Sequence, residues 1–557
     1  MSVSIEEIAK KIKIQGLTEE DILSSIERPK ISSMGDVCFA CFKLSAKLKR
    51  KPQEIAEEIK RFLEKEKGIS KVVIAGAYVN VFFNEEEIIK ELIKTEGTKV
   101  SCDIGKKRKI CIDYSSVNIA KPFHIGHLSS TVLGAALCRL SDKLGFQSVG
   151  INHLGDWGTQ FGKLVVAVKK WSSIDEVKNQ DEHFVNKLYV RFHKKAEEHP
   201  ELEDQAREEF KKIEEGDKLA NEYYQVFKDI TMRAVNKVYK RLGIVFDSYN
   251  GEAFYNDKMG AVLDELKNKG LLKDSEGAKI VDLEEWGMAP CLIQKADGAT
   301  LYATRDLAAA KYRGKEYNFY KTFYVVAYQQ NLHFKQVFKV LDLMGFEKAK
   351  DLEHIAFGMV SLEDGSMSTR EGRVVLLEEV LDKATEKASV IIRQKETKLD
   401  IKEVAEKVGT GAVVFSALWS GRIKDITFSF DKILNFEGET APYLQYTYAR
   451  CASILRKAKY SKPKKIEGLG DEATHELINE LARYKNTLIR AFEEREPSIL
   501  TRYAMSVAGK FSAFYKDNKV LCDDENIQKT RLAIVNATAN ILRESLHILG
   551  IPTMEEM

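Results

Sequence analysis

At 557 residues the chain exceeds what one hydrophobic core supports, and its length suggests about three or four domains. With 44% hydrophobic and 31% charged residues it reads as a soluble globular protein, and no apolar run reaches the roughly 18 residues that a membrane span requires. Lys and Arg total 87 against 84 Asp and Glu, so a net charge of +3 gives no evidence for a polyanionic partner and any basic surface must be local.

The opening MSVSIEEIAKKIKIQ is an amphipathic helix pattern, not the charged, apolar, small-residue order of a signal peptide. The expectation is a cytoplasmic protein with no membrane association. Residues 1–100 read as a small α+β unit, with helical patterns over 5–14 and 37–49 and another from Pro52. Cys38 and Cys41 form a lone Cys-x-x-Cys with no second pair at zinc-ribbon spacing. In the helical pattern of Val37, Cys41, Leu44 and Leu48 they read as small buried hydrophobes, so no structural metal is expected. Residues 71–83 (KVVIAGAYVNVFF) read as two β segments broken at Gly76.

Over 101–375 strands alternate with helices, the pattern of a parallel sheet. Strands are expected over 109–114, 147–151, 300–304, 322–327 and 354–359, and helices over 126–144, 305–312 and 332–343. The stretch from about 160 to 295 reads as a mainly helical, charged insertion. Residues 376–557 read as all helix. Leu444, Tyr448, Cys451, Leu455 and Ala458 line one helix face there, behind an N-cap at Thr440 and Pro442 in the first turn. The lysine-rich clusters at 106–109 and 457–465 read as solvated loops.

Ligands bind beyond the carboxyl ends of the strands in an open α/β sheet. The segments that follow the expected strands carry Asn118, Lys121, His124 and His127; then His153, Gly155 and Asp156; then Tyr302, Arg305 and Asp306; then Gln329, Gln330 and Asn331; and last Ser366 to Arg370. Gly126 opens a helix, where backbone N–H groups and the helix dipole favour an anion. His124 and His127, three apart, face one side and can donate to phosphate oxygens. An isolated pair of this spacing would be two surface histidines; the strand–loop–helix context argues for a nucleotide site.

The motifs HIGH (124–127), GDWGTQFG (155–162), YATRD (302–306) and MSTREG (367–372) resemble those of the arginine-specific branch of the class I aminoacyl-tRNA synthetases. The resemblance runs along nearly the whole chain, most specifically in SSVNIAKPFHIGHLSST (115–131) and EGETAPYLQYTYARCASILRKA (437–458). It implies a multidomain α/β protein. An N-terminal α+β domain (1–100) touches the tRNA elbow, and a Rossmann-like catalytic domain (101–375) carries the helical insertion. An all-α helical bundle (376–557) binds the anticodon. It also implies ATP-dependent ligation of L-arginine to its tRNA through an arginyl-adenylate, with ATP as its Mg²⁺ complex, no DNA partner and a monomeric chain.

By that resemblance His124, Gly126, His127, Gly155, Asp156, Met359, Met367 and Ser368 hold ATP, and Asn118, Glu252, Tyr302, Asp306, Gln330 and Asp113 hold arginine. Carboxylates suit the planar guanidinium fork. The plainer readings are a first-turn helix acid for Asp306 and a solvated residue for Glu252. The family's mobile-loop lysines are replaced here by Ser366 and Thr369, so either Lys121 or Arg370 brings the positive charge to pyrophosphate. Ala253 stands where a serine is usual, Val117 where a proline is usual, and Asp517-Asn518 departs from the pattern in a segment that approaches the anticodon. The alternatives are a class I synthetase for another amino acid and a non-catalytic relative that binds tRNA or a protein.

Overall fold

The computed structural model describes residues 5–29, 31, 34–100, 102–295, 302–362, 375–394, 399–435 and 438–557. The N-terminal region holds an antiparallel sheet in the order Ile26–Glu27, Val37–Ala40, Tyr78–Phe83, Ile69–Ala75. The turn between its last two strands uses Gly76 in the left-handed region, as the break in the apolar run implies. Residues 37–49 are not one helix: Val37–Ala40 is a strand and the helix is Cys41–Leu48. All four strand residues are buried, and a short run buried on both faces carries no alternation to separate strand from helix. Cys38 and Cys41 are both buried.

The parallel sheet has the order Leu352–His354, Lys321–Tyr324, Lys109–Asp113, Gln147–Ile151. Ile110, Ile112 and Phe323 face one core while Cys111, Ile151, Tyr324 and Leu352 face the other, as in a sheet covered on both sides. The strand expected over 300–304 is absent at its described residues: Tyr302–Tyr317 is a helix, with Ala303, Leu307 and Ala310 buried at helical spacing. The last strand is Leu352–His354, two residues before its expected start, with Phe357 forming an isolated bridge to Ala327.

The insertion is helical through the 25-residue helix Lys218–Leu242. It ends differently from expectation, in an antiparallel sheet of Leu272–Ser275, Ala278–Val281 and Cys291–Gln294. The C-terminal region is a helical bundle apart from Ile426–Phe428, which pairs in parallel with Val360–Leu362. In the helix Ala441–Ala458 the predicted stripe faces the common core, with Leu444, Tyr448 and Cys451 fully buried and Leu455 and Ala458 packed against them. Thr440 is its N-cap by position, but its hydroxyl bonds to the Asn435 carbonyl instead of a helix N–H.

The N-terminal region is fastened to the bundle by His475. Its Nε2 lies 2.9 Å from Asp36 Oδ1 and its Nδ1 2.8 Å from Glu85 Oε1. The two carboxylates raise the imidazole to a pKa of about 10, so it is held as the cation. Among the described residues no helix is long and apolar enough to cross a membrane.

Candidate active site

The sheet order reverses at Lys109–Asp113: the next strand in sequence lies on one side of it and Lys321–Tyr324 on the other. A crevice opens at the carboxyl ends of strands flanking such a reversal. The first loop enters it in a conformation that few residues tolerate, with Ser115, Ser116 and Ala120 all at positive φ. Hydrogen bonds hold it there. The Ser115 N–H donates to Ser130 Oγ at 2.9 Å, the Ser115 hydroxyl meets Tyr239 Oη at 2.7 Å, and the Ala120 N–H donates to Thr231 Oγ1 at 3.0 Å. Asn118 then bridges to Gly155 of the second loop, where a Cβ would stand 2.3 Å from Asn118 Oδ1. Only glycine permits that approach, which gives Gly155 a packing reason independent of any ligand.

His124 caps a single 3₁₀ turn, Ile125–His127, that runs into the helix Leu128–Lys143. Its Nδ1 accepts from the Gly126 N–H at 3.1 Å, so a neutral His124 carries its proton on Nε2. The Gly126 N–H is therefore engaged by His124 itself. The two imidazoles lie tilted against each other, 4.2 Å between centroids. Burial lowers both, and the neighbouring His124 adds to it for His127, which falls to about 3. At neutral pH the pair consists of uncharged N–H donors. Leu376 bridges to His124, while the Ile125 N–H donates to the Val375 carbonyl and the Leu377 N–H to the Phe123 carbonyl. The chain leaving the 363–374 segment is thus tied directly to the histidine pair.

Two carboxylates of the site each meet a basic side chain. Glu252 Oε2 is 3.4 Å from Arg305 Nη1, and burial pushes the acid up to about 7 against the pull of Arg305. Asp306 Oδ2 is 2.6 Å from His333 Nε2. Each acid acts electrostatically on Glu252 or His153: Asp306 and Asp156 on both, Asp113 on His153. The charge of Lys121 acts on both His127 and Glu252. Tyr302 and Asp306 lie one helical turn apart on the helix Tyr302–Tyr317, not at a strand end.

Other expected residues stand differently. Asp113 is buried in an ion pair with Arg313 at 2.8 Å and accepts from Ser116. Asp156, 1% exposed, uses one oxygen for Lys228 at 2.8 Å and the other for the Ala253 N–H at 2.9 Å. Asn118, Tyr302, Gln330 and Met359 are exposed at the rim. Met367, Ser368 and Arg370 lie outside the described residues.

Three family descriptions match consecutive parts of the chain. They are the arginyl-tRNA synthetase N-terminal domain over 2–83, the catalytic domain of class I (R) tRNA synthetases over 88–430 and the DALR anticodon-binding domain over 444–557. The chain is 48% identical to an arginine–tRNA ligase of Clostridioides difficile and 48% identical to one of Halothermothrix orenii, covering 98% of each protein in both cases. The chain belongs to the arginyl-tRNA synthetase family. The fold agrees with arginyl-tRNA synthetases of Thermus thermophilus and Plasmodium falciparum, with TM-scores of 0.83 and 0.81 at 24% identity. The first match covers all of both chains; the second covers 96% of this chain and 94% of that one.

The synthetase's site contains residues to which sequence reasoning assigned no role. Arg305 sits inside the YATRD motif, and His153 opens the segment before Gly155, so both were visible without a partner. His333 follows Gln330 by one helical turn, a spacing that could have revealed it. Lys228, Thr231 and Arg313 are far away in sequence and carry no local signal. The bundle adds a groove of about 660 Å³ lined by Arg450, Lys457, Tyr515, Lys519 and the terminal Met557. There the Arg450 guanidinium stacks 4.8 Å from the Tyr446 ring and 5.4 Å from that of Tyr515.

Proposed function

We propose that this synthetase joins L-arginine to its tRNA with the residues of the crevice in the following roles. An arginine carboxylate oxygen attacks the α-phosphorus of ATP, which enters as its Mg²⁺ complex. The bond to pyrophosphate breaks, and arginyl-adenylate remains. The 2′-hydroxyl of the tRNA's terminal adenosine then attacks the arginyl carbonyl, and AMP leaves. His124 and His127, as neutral donors, hold the phosphate oxygens where charge builds. Lys121, whose charge acts on both His127 and Glu252, supplies positive charge, with Arg370 as the other candidate. Gly126, Gly155, Met359, Met367 and Ser368 shape the nucleotide side.

Glu252 and Asp306 take the guanidinium, with Tyr302 beside them; Arg305 and His333 occupy the two acids until arginine arrives. Asn118 and Gln330, at the rim, hold the α-amino and carboxylate end. Asp113 and Asp156 support the pocket from behind, through Arg313 and Lys228. The observation that supports this reading is a close pair of neutral histidines and two carboxylates that each meet a basic side chain, with the charge of Lys121 felt by both groups. In the bundle, the Tyr446–Arg450–Tyr515 stack offers ring faces and a cation to anticodon bases. Three units meeting near residues 100 and 375 act together as one cytoplasmic monomer.

ATP–pyrophosphate exchange, run with each amino acid in the presence and absence of tRNA, tests the reading. Exchange with arginine in the presence of its tRNA is expected. Exchange with another amino acid, or none with the cognate tRNA present, overturns it.

A further inference from the structure

The helix Lys218–Leu242 lies outside every motif, yet one stripe of it touches both loops of the active site. Lys228 Nζ pairs with Asp156 Oδ2 at 2.8 Å. The other oxygen of Asp156 accepts from the Ala253 N–H at 2.9 Å, and the Glu252 N–H donates to the Leu154 carbonyl at 2.9 Å. The turn that carries Glu252 is thereby clamped from both sides. Glycine at 251 is part of the clamp, because a Cβ there would stand 2.5 Å from Asp156 Oδ1. Asp156 is a buried carboxylate, and Lys228 is the cation paired with it.

One turn further along the same face, the Thr231 hydroxyl donates to the Phe227 carbonyl at 2.9 Å. Its proton is committed, so it meets the Ala120 N–H as an acceptor, at 3.0 Å. Ala120 is at φ +62° and directly precedes Lys121. Lower still, Tyr239 Oη meets Ser115 and Asn152, and Arg241 forms ion pairs with Glu406 and Asp382 of the helices beyond residue 376. The helix is anchored at that end and presents two polar groups to two different loops.

We propose that Lys228 and Thr231 are positioning residues with separate duties: Lys228 sets Glu252 for arginine through Asp156, and Thr231 sets the Lys121 segment for ATP. The first duty rests on the reading of Glu252 as a guanidinium ligand; the second does not. A general packing role would disturb both substrates together, whereas these contacts divide them.

The test is steady-state aminoacylation by the full chain, with arginine and ATP varied separately at saturating tRNA, for E252Q, K228M and T231V. E252Q and K228M are each expected to raise the KM for arginine about tenfold while the KM for ATP stays within about twofold. T231V, close to isosteric, is expected to raise the KM for ATP about tenfold with little change for arginine, and T231S to restore it. K228Q keeps an N–H donor and takes the place of K228M if the latter does not fold. If E252Q raises the KM for arginine but the folded Lys228 variant does not, or raises both KM values equally, the Lys228 assignment is overturned. An E252Q enzyme with unchanged KM for arginine overturns the Glu252 reading itself. T231V raising both KM values equally, or neither, overturns the Thr231 assignment.

Discussion

His127 and His475 put the same side chain to opposite uses. His127 is desolvated against His124 with no carboxylate beside it, and falls to about 3. His475 lies between Asp36 and Glu85, and rises to about 10. The first stays neutral at every working pH and, in the proposed reaction, strengthens its contact to phosphate only when charge appears there. The second is a permanent cation joining the N-terminal region to the bundle. The difference teaches that partners, not exposure alone, decide what a histidine does, since both are substantially buried.

Three measurements would break or sharpen that contrast. The largest effect belongs to the neutral histidine. His127→Ala is expected to lower kcat about a hundred- to a thousandfold, the usual loss for one transition-state donor, with stability nearly unchanged. Single-turnover rates of adenylate formation read it, and a loss below tenfold would remove His127 from the transition state.

His475→Leu should do the reverse, leaving adenylate formation intact and destabilising the fold by roughly 1.5–3 kcal/mol, as two partly buried carboxylates lose a charged donor. The pH dependence separates the two residues by sign. The His475 contribution is complete below about 6.5 and is lost as pH rises towards about 10. For His127 the unfolded chain takes up a proton that the folded site refuses, so stability is lost as pH falls from 6.5 towards about 3. Denaturant unfolding across pH, compared between wild type and His475→Leu, reads the alkaline slope; an unchanged slope contradicts the assignment.

The smallest effect concerns Glu252, which stands between these extremes at about 7. Arginine favours its ionised form, so below that value binding must release a proton. The KM for arginine is expected to rise about tenfold from pH 8 to pH 6, and Glu252→Gln to flatten the profile. A wild-type profile already flat over that range would mean that Glu252 is ionised without arginine.

Sequence reasoning reached the parts of this site that depend on local pattern. The strand Gln147–Ile151 was placed to the residue, and the apolar stripe of Ala441–Ala458 faces the core as expected. Periodicity failed where two structures share it: Val37–Ala40 is buried on both faces, and Tyr302–Thr304 joins a helix despite its β-prone residues because Ala308, Ala309 and Ala310 extend the helical run. The hairpin Leu272–Val281 has short four-residue strands, the first mostly exposed and the second mostly half-buried, with no alternation to detect. Of the candidate site residues, His124, His127, Glu252 and Asp306 are singled out by resemblance to the family's pattern. The partners of Glu252 and Asp306, Arg305 and His333, were visible as residues, but their pairing with these acids was not, because pairing is a property of distance in space. The same holds for Asp113, whose carboxylate is engaged by a buried arginine 200 residues away.

The three left-handed residues of the first loop have one further consequence, which is thermodynamic. Ser115, Ser116 and Ala120 occupy backbone conformations that an unrestrained chain visits rarely, and protein hydrogen bonds already hold them in place. The ordering entropy of the segment that presents Asn118 and Lys121 is therefore lost during folding, before any nucleotide arrives. In the proposed reaction ATP would then meet a surface with few conformations left to lose, leaving more of its contact energy available to the reaction.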